Sequence, residues 1–155
     1  SSPRAAAARP RATPHRPPMT PQITLDWLNA LPGWSGAMRL HYTVATPEEV
    51  TCEFVAEDRH LQPFGLVHGG VHCGVIETVC SIGATLAVRE QGMQAVGLEN
   101  TTSFVRATKA GARLVATGKP VVVGRTNQLW EAWVRDERGR VVAQGRVRLA
   151  NVASP

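Results

Sequence analysis

The stretch Leu61–Val88 reads LQPFGLVHGGVHCGVIETVCSIGATLAV, and its texture differs from the rest of the chain. The chain is 19% Asp, Glu, Lys and Arg, yet these 28 residues carry one carboxylate, Glu77, and no Lys or Arg. Val71, Val75, Val79, Ile82 and Leu86 recur at spacings of three and four, the period of a helix with one aliphatic stripe. The spacing predicts one long helix over 70–89. Projected at ~100° per residue, Glu77 falls roughly opposite that stripe. Its angular neighbours are Gly70, Cys73, Gly74, Ser81 and Ala84, all small. No Lys or Arg lies one turn away to make an ordinary helical ion pair. A carboxylate on an apolar helix is costly to bury unless something uses it. The helix opens at His68-Gly69-Gly70, where first-turn amides lack intrahelical acceptors and can face a polar ligand group.

On either side of this helix the pattern changes. Thr24–Leu31 reads as a short helix ended by Pro32-Gly33. Met38–Thr46 and Val50–Glu57 read as strands; in the second, Val50, Cys52, Phe54 and Ala56 alternate with Thr51, Glu53, Val55 and Glu57. An irregular link spans 58–67. After Gln91-Gly92 come four candidate strands, 94–104, 113–124, 127–135 and 141–151, separated by Gly-containing turns. The order of helix, two strands, long helix and four strands implies an α+β fold with an antiparallel sheet around one apolar helix.

A chain of 155 residues suits one domain with its own core. The net charge of +5 does not call for a nucleic-acid partner. Arg4, Arg9, Arg11 and Arg16 lie before the first acid, Asp26, and without them 13 basic residues face 12 acidic ones. Residues 1–21 hold six prolines amid Ala and Arg and read as a disordered extension, leaving 22–155 as the folded domain. No apolar run is expected to span a membrane, since Gly, His, Glu, Thr and Ser interrupt the longest. Three cysteines, Cys52, Cys73 and Cys80, with no secretory signal, point to reduced thiols and a cytoplasmic location. His68 and His72 stand four apart, a spacing that can share a metal. Gly69, however, occupies the place of the general base in HExxH, and no metal is expected.

The set Gln62-x5-His68-Gly69-Gly70-x6-Glu77-x3-Ser81, within this order of elements, resembles the hotdog-fold acyl-CoA thioesterases. The closer likeness is to the PaaI-like group and the 4-hydroxybenzoyl-CoA thioesterase subtype with a helix glutamate. It extends from about Leu25 to Val152. Gly-Leu-Glu-Asn with Phe104-Val105-Arg106 resembles the family's next strand, and Val123-Gly124-Arg125-Thr126 its following turn. The resemblance implies a hotdog fold and hydrolysis of an acyl-CoA or acyl-carrier-protein thioester, without a cofactor. It also implies a homodimer, commonly doubled to a tetramer, whose site lies between subunits. By the same resemblance Gln62 orients the thioester carbonyl, His68 supports the loop, and Ser81 holds water or the Glu. Coenzyme A contacts fall to Gly70, Phe104, Arg106, Arg125 and Thr126, although Phe104 stands where some glutamate-type relatives have histidine.

Thioester hydrolysis needs charge stabilisation at the carbonyl oxygen and a nucleophile for the carbon. The Gly69 amide, backed by the helix dipole, suits the first need. Glu77 suits the second, either by deprotonating water or by attacking directly. Duller roles exist for each residue. Glu77 serves equally as an interface carboxylate, His68 as a structural histidine, Gln62 as a loop tie, Ser81 as a space filler and Arg125 as a solvated charge. The alternative at the level of function is a non-catalytic acyl-CoA-binding domain that senses or regulates. Trp27, Trp34, Phe64 and the small helix face are candidates for an acyl pocket, of aryl or aliphatic preference.

Overall fold

A computed structural model describes residues 21–155. The extension assigned to residues 1–21 lies outside the described residues except for Pro21, whose carbonyl accepts a hydrogen bond from Arg89 Nη2 at 3.0 Å. Thr24 caps α1 (Leu25–Asn29) by accepting from the Trp27 amide. Pro32-Gly33 ends that helix as expected but also starts another, α2 (Gly33–Ala37), which the sequence reading did not include. Strands β1 (His41–Ala45) and β2 (Val50–Val55) follow, each shorter than expected at its ends. Then come α3 (Gly69–Val88), β3 (Met93–Phe104), β4 (Arg113–Val123), β5 (Asn127–Asp136) and β6 (Val141–Ala153).

The six strands form one antiparallel sheet in the order β1-β2-β4-β5-β6-β3. It wraps α3, whose Val71, Val75, Ile76, Val79, Cys80 and Ala84 are buried among Phe54, Leu114, Trp130, Val134 and Leu149. The alternations in β2 and β5 behave as period-2 patterns should: Val50, Cys52 and Phe54, then Trp130, Ala132 and Val134, all point inward. The expected face holds over Val71, Val75 and Val79, but Ile82 and Leu86 are only half-buried, whereas Ala84 lies in the core. Glycine explains the departure. A Cβ on Gly83 would stand 2.4 Å from the Trp130 ring, so the small residue, not the large one, meets the sheet where the indole lies. The indole N–H donates to Gln128 Oε1 (2.8 Å), and Gln128 Nε2 donates to the Ala84 carbonyl (2.9 Å) and to Asn151 Oδ1 (2.8 Å). A buried polar group fully supplied with partners in this way stabilises one register of helix on sheet.

One expectation needs correction here. By length and composition, the helical stretch Gly69–Gln91 is apolar enough to cross a membrane. The fold accounts for that character differently: half of the stretch is buried, and its apolar side is the inner face of the sheet's core.

The two sheet edges differ. On β1, five residues long, and its neighbours lie ion pairs such as Arg39–Glu57 and Arg113–Glu53. On β3, twelve residues long, exposed Val96, Leu98 and Phe104 stand among polar residues, with exposed Val105 just beyond. Charge protects an edge from further pairing, and a long apolar edge invites it.

Candidate active site

The chain enters α3 through His68, whose extended backbone (φ −63°, ψ 134°) makes it the N-cap. Its N–H donates to the His60 carbonyl (2.8 Å), and its own carbonyl accepts from the Val71 amide (2.9 Å). The ring closes the turn, since Nδ1 accepts from the Gly70 amide at 2.7 Å. An accepting Nδ1 places the proton of the neutral ring on Nε2. The Gly70 and Val71 amides are thereby used. Of the first three helix amides, Gly69 N–H alone has no acceptor among the described residues. The sequence offered a group of free amides; the fold reduces it to one. Because His68 is outside the helix and exposed while His72 is buried, the helical spacing of a two-histidine metal site is lost. Among the described residues no three His, Cys, Asp or Glu side chains cluster as metal ligands.

Gly69 faces a cavity of about 310 Å³ shared with Gln62, Val67, His72, Phe104 and Thr108, with Arg106 at its lining as well. Phe104 lies over the turn: a Cβ on Gly69 would come within 2.8 Å of its Cζ, so glycine is what lets the ring sit there. Gln62 Oε1 accepts from the Phe64 amide, which ties down the loop. Its backbone N–H donates to the Leu66 carbonyl at 2.8 Å, tightening the same turn. His72 and Thr108 are both buried, and His72 Nδ1 and Thr108 Oγ1 have no hydrogen-bond partner among the described residues. Burial pushes the His72 pKa down to about 4, so the ring is neutral near pH 7.

Glu77 lies elsewhere. Half-buried, it points at β3, where Ser81 Oγ donates to Oε1 (3.1 Å) and Asn100 Nδ2 donates to Oε2 (3.1 Å). Asn100 Nδ2 also reaches the Cys73 carbonyl at 3.1 Å, which anchors it to the helix. Gly97 makes room: a Cβ there would stand 2.3 Å from Glu77 Oε1. Eight residues of helix separate Glu77 from Gly69, roughly 12 Å at ~1.5 Å per residue. One thioester carbon cannot touch both within a single chain.

The residues assigned to coenzyme A are divided in the same way. Gly70, Phe104 and Arg106 sit at the first-turn end, and the Gly70 amide is already bonded to His68. Arg125 and Thr126 are exposed in the β4–β5 turn, where Asn151 donates to both of their carbonyls. That turn is beside the start of β3, since Asn151 pairs with Ala95, whereas Phe104 ends the strand. About nine residues of strand separate the two ends, roughly 30 Å at ~3.3 Å per residue.

The candidates for an acyl pocket, Trp27, Trp34 and Phe64, lie apart from one another in this chain. Trp34 instead packs on the helix, and a Cβ on Gly74 would meet its ring at 2.5 Å. Phe64 is 88% exposed, and Trp27 lies near Thr85 and Arg89. Cys52 and Cys80 are buried, which raises both thiol pKa values, that of Cys52 to about 12, and makes them poor nucleophiles. Asn100, Gly97, His72 and Thr108 were not singled out as site residues from sequence. A glycine inside a strand pattern does signal close approach or a bulge, and the β3 register shifts between Gly97 and Glu99. Asn100 ends the Gly-Leu-Glu-Asn run quoted above, but nothing local gives its role or marks Thr108, because their partners are distant in the chain.

The chain and its sheet-wrapped helix are similar to known proteins. The model of the Thioesterase superfamily matches residues 64–143, which include α3, the glutamate and all of β3, β4 and β5. The proofreading thioesterase EntH of Cronobacter sakazakii is 33% identical over 132 residues, 83% of this chain and 93% of that protein. The 1,4-dihydroxy-2-naphthoyl-CoA hydrolase of Escherichia coli is 30% identical over 131 residues, 83% of this chain and 95% of that protein. Among solved structures, thioesterase HI1161 of Haemophilus influenzae superposes with a TM-score of 0.79 at 25% identity, covering 86% of this chain and 93% of that one. With the family match spanning the helix and its surrounding strands, and the relatives aligned nearly end to end, this chain belongs to the hotdog-fold thioesterase superfamily.

Proposed function

We propose that this protein hydrolyses an acyl-CoA or acyl-carrier-protein thioester to the free acid and thiol. In this reading the Gly69 amide, helped by Gln62, polarises the carbonyl, and Glu77 is the general base or the nucleophile. The observation that carries it is the pairing of one unused first-turn amide with one carboxylate oriented by Ser81 and Asn100. Hydrogen bonds from two neutral donors fix the carboxylate without consuming its negative charge in an ion pair. The E. coli relative's name supports a CoA thioester over other esters.

The separation of amide and carboxylate supports a homodimer, with the family's doubling to a tetramer as its extension. The exposed β3 edge supplies the interface. Antiparallel pairing of two β3 strands about a twofold near Asn100 sets Val96 of one copy against Phe104 of the other. That brings Glu77 of one copy toward the Gly69 turn of the second, and the Arg125-Thr126 turn toward the second copy's Arg106. Water, a carboxylate and an amide suffice for the chemistry, so the reading calls on no metal or redox cofactor. Buried or half-buried free thiols accord with work in the cytoplasm, and no nucleic acid enters the reaction.

The test is thiol release from a panel of acyl-CoAs by wild type, Glu77→Gln and Glu77→Ala. General-base loss should lower kcat by roughly 100- to 10,000-fold. Equal background rates in all three proteins would sink the catalytic reading, and tight acyl-CoA binding without thiol release would favour a sensor.

A further inference from the structure

We propose that Thr102 is a positioning residue, acting through Asn100 to hold the Glu77 carboxylate at its working angle. The inference rests on the thioesterase reading above and adds to it a residue one remove from the reacting atoms. Hydrogen bonds run in series from β3 to the helix. Thr102 Oγ1 donates to Asn100 Oδ1 at 2.6 Å, toward the short end of the range for a hydroxyl donor. Asn100 Nδ2 in turn donates to Glu77 Oε2 and to the Cys73 carbonyl, both at 3.1 Å. Asn100 and Thr102 stand two apart on β3, so their side chains share one face of the strand, the face that meets α3.

The pattern fixes which way the carboxamide points. Both helix groups are acceptors, so the amide nitrogen must face them, and its oxygen is left toward the strand, where it needs a donor. Thr102 supplies that donor. Asn100 is exposed in this chain, and a side chain anchored at its nitrogen alone can still rock about its two torsions. A second anchor at the oxygen stops that motion, and bonds joined in series strengthen one another. The fold keeps room for both ends of the series. Gly145 faces Thr102 across the β3–β6 pair, and a Cβ there would stand 2.6 Å from Thr102 Oγ1. Gly97 does the same for the Glu77 carboxylate at the other end. Glycine weakens a strand interior, so its presence at both places marks close approach that side chains would forbid. Ser81 holds the other carboxylate oxygen from within the helix, which leaves the hold from β3 to Asn100 and the residue that steadies it.

The experiment is a double-mutant cycle on thiol release from the acyl-CoA that wild type cleaves fastest. The proteins are wild type, Thr102→Val, Thr102→Ser, Asn100→Leu and the double variant Thr102→Val with Asn100→Leu. Valine keeps the branched shape that suits a strand and removes the hydroxyl. Thr102→Val should lower kcat by about 3- to 10-fold with KM little changed, the range expected for one hydrogen bond. Thr102→Ser retains the hydroxyl and should stay within about twofold of wild type. In the Asn100→Leu background the valine should cost nothing further, because the route to Glu77 is already cut. A loss of equal size in both backgrounds, or one shared by Thr102→Ser, makes Thr102 merely structural and overturns the proposal, as does an unchanged kcat in Thr102→Val; thioester hydrolysis survives each of these results. If wild type cleaves no thioester, the thioesterase reading fails, and the 13C carboxyl resonance of Glu77, assigned by its loss in Glu77→Gln, decides whether Thr102 holds that group. A shift in Thr102→Val that Thr102→Ser reverses upholds the hold; an unmoved resonance rejects it.

Discussion

The first turn of α3 and its middle are built on opposite terms. At the first turn, Gly69 lines a concave cavity and its N–H has no acceptor among the described residues, while His72 Nδ1 and Thr108 Oγ1 are buried behind that lining without partners. At the middle, both oxygens of Glu77 already accept hydrogen bonds, and the group sits beside an open strand edge. Unmet hydrogen-bonding capacity in a cavity is an instrument of binding, since a ligand atom can supply what is missing. A satisfied, oriented carboxylate is an instrument of chemistry, since its position is set before the substrate arrives. The helix joins the two halves and, by its rise, keeps them too far apart to act on one carbonyl.

Removing the chemical half should have the largest effect, the 100- to 10,000-fold fall in kcat expected for Glu77→Gln, with the far-ultraviolet spectrum unchanged. Removing the binding half tests the division more sharply. Gly69→Pro deletes the free N–H at the cost of a ring added beneath Phe104; proline is accepted at a first helical position, and His68 already has the extended backbone that proline demands of its predecessor. Phe104 must shift from the added ring. The loss should be about 100- to 1000-fold in kcat. Mixing the Glu77→Gln and Gly69→Pro proteins under conditions of subunit exchange should then recover about a quarter of wild-type activity, because random pairing makes half the dimers mixed with one intact site each. No recovery despite demonstrated exchange would place each site within one chain.

A smaller effect is expected where the carboxylate is only displaced. Gly97→Ala puts a methyl group against Glu77 Oε1 and should lower kcat by about 10- to 100-fold with less change in KM. An unaltered kcat would mean that the orientation imposed from β3 has no part in catalysis. The gentlest probe is stability at acid pH. The His72 pKa lies at about 4 in the fold against 6.5 unperturbed. Above pH 6.5 neither state is protonated and there is no cost. As pH falls from 6.5 to about 4, the unfolded chain takes up a proton that the folded chain refuses, so stability declines, then levels off once both states are protonated. Between pH 7 and 4, urea unfolding should cost wild type about 3 kcal/mol more than His72→Gln. Equal losses would show that the first turn does not keep this ring neutral.

Much of this was legible along the chain. The α+β order, the long helix, the inward alternation of β2 and β5 and the isolation of Glu77 are local or periodic properties, and local period is what a sequence carries openly. The helix start was legible too, because His68-Gly69-Gly70 is contiguous. Less legible was the face that α3 turns to the sheet. Counting large aliphatics favoured Ile82 and Leu86, but Trp130, nearly fifty residues away, needs Gly83 beneath it. The second short helix was missed because Pro32-Gly33 both ends one helix and begins the next. Trp34 packing on the small helix face at Gly74 was illegible for a related reason, since the two lie forty residues apart in the chain.

The chemistry of the residues, then, was written in their order: a lone carboxylate, a glycine at a helix start and a period that wraps strands around it. Which amide remains free, which donors hold Glu77 and which buried atoms go unpaired depended on contacts between segments far apart in sequence. Asn100 reaches the helix only because β3 pairs with β6 in one register, and Thr108 shares a cavity lining with His72 only because the chain after β3 returns to the loop before α3. Spacing along a chain fixes which residues share a face of one element; hydrogen bonds and cavities arise between elements, and only their packing brings those atoms within reach.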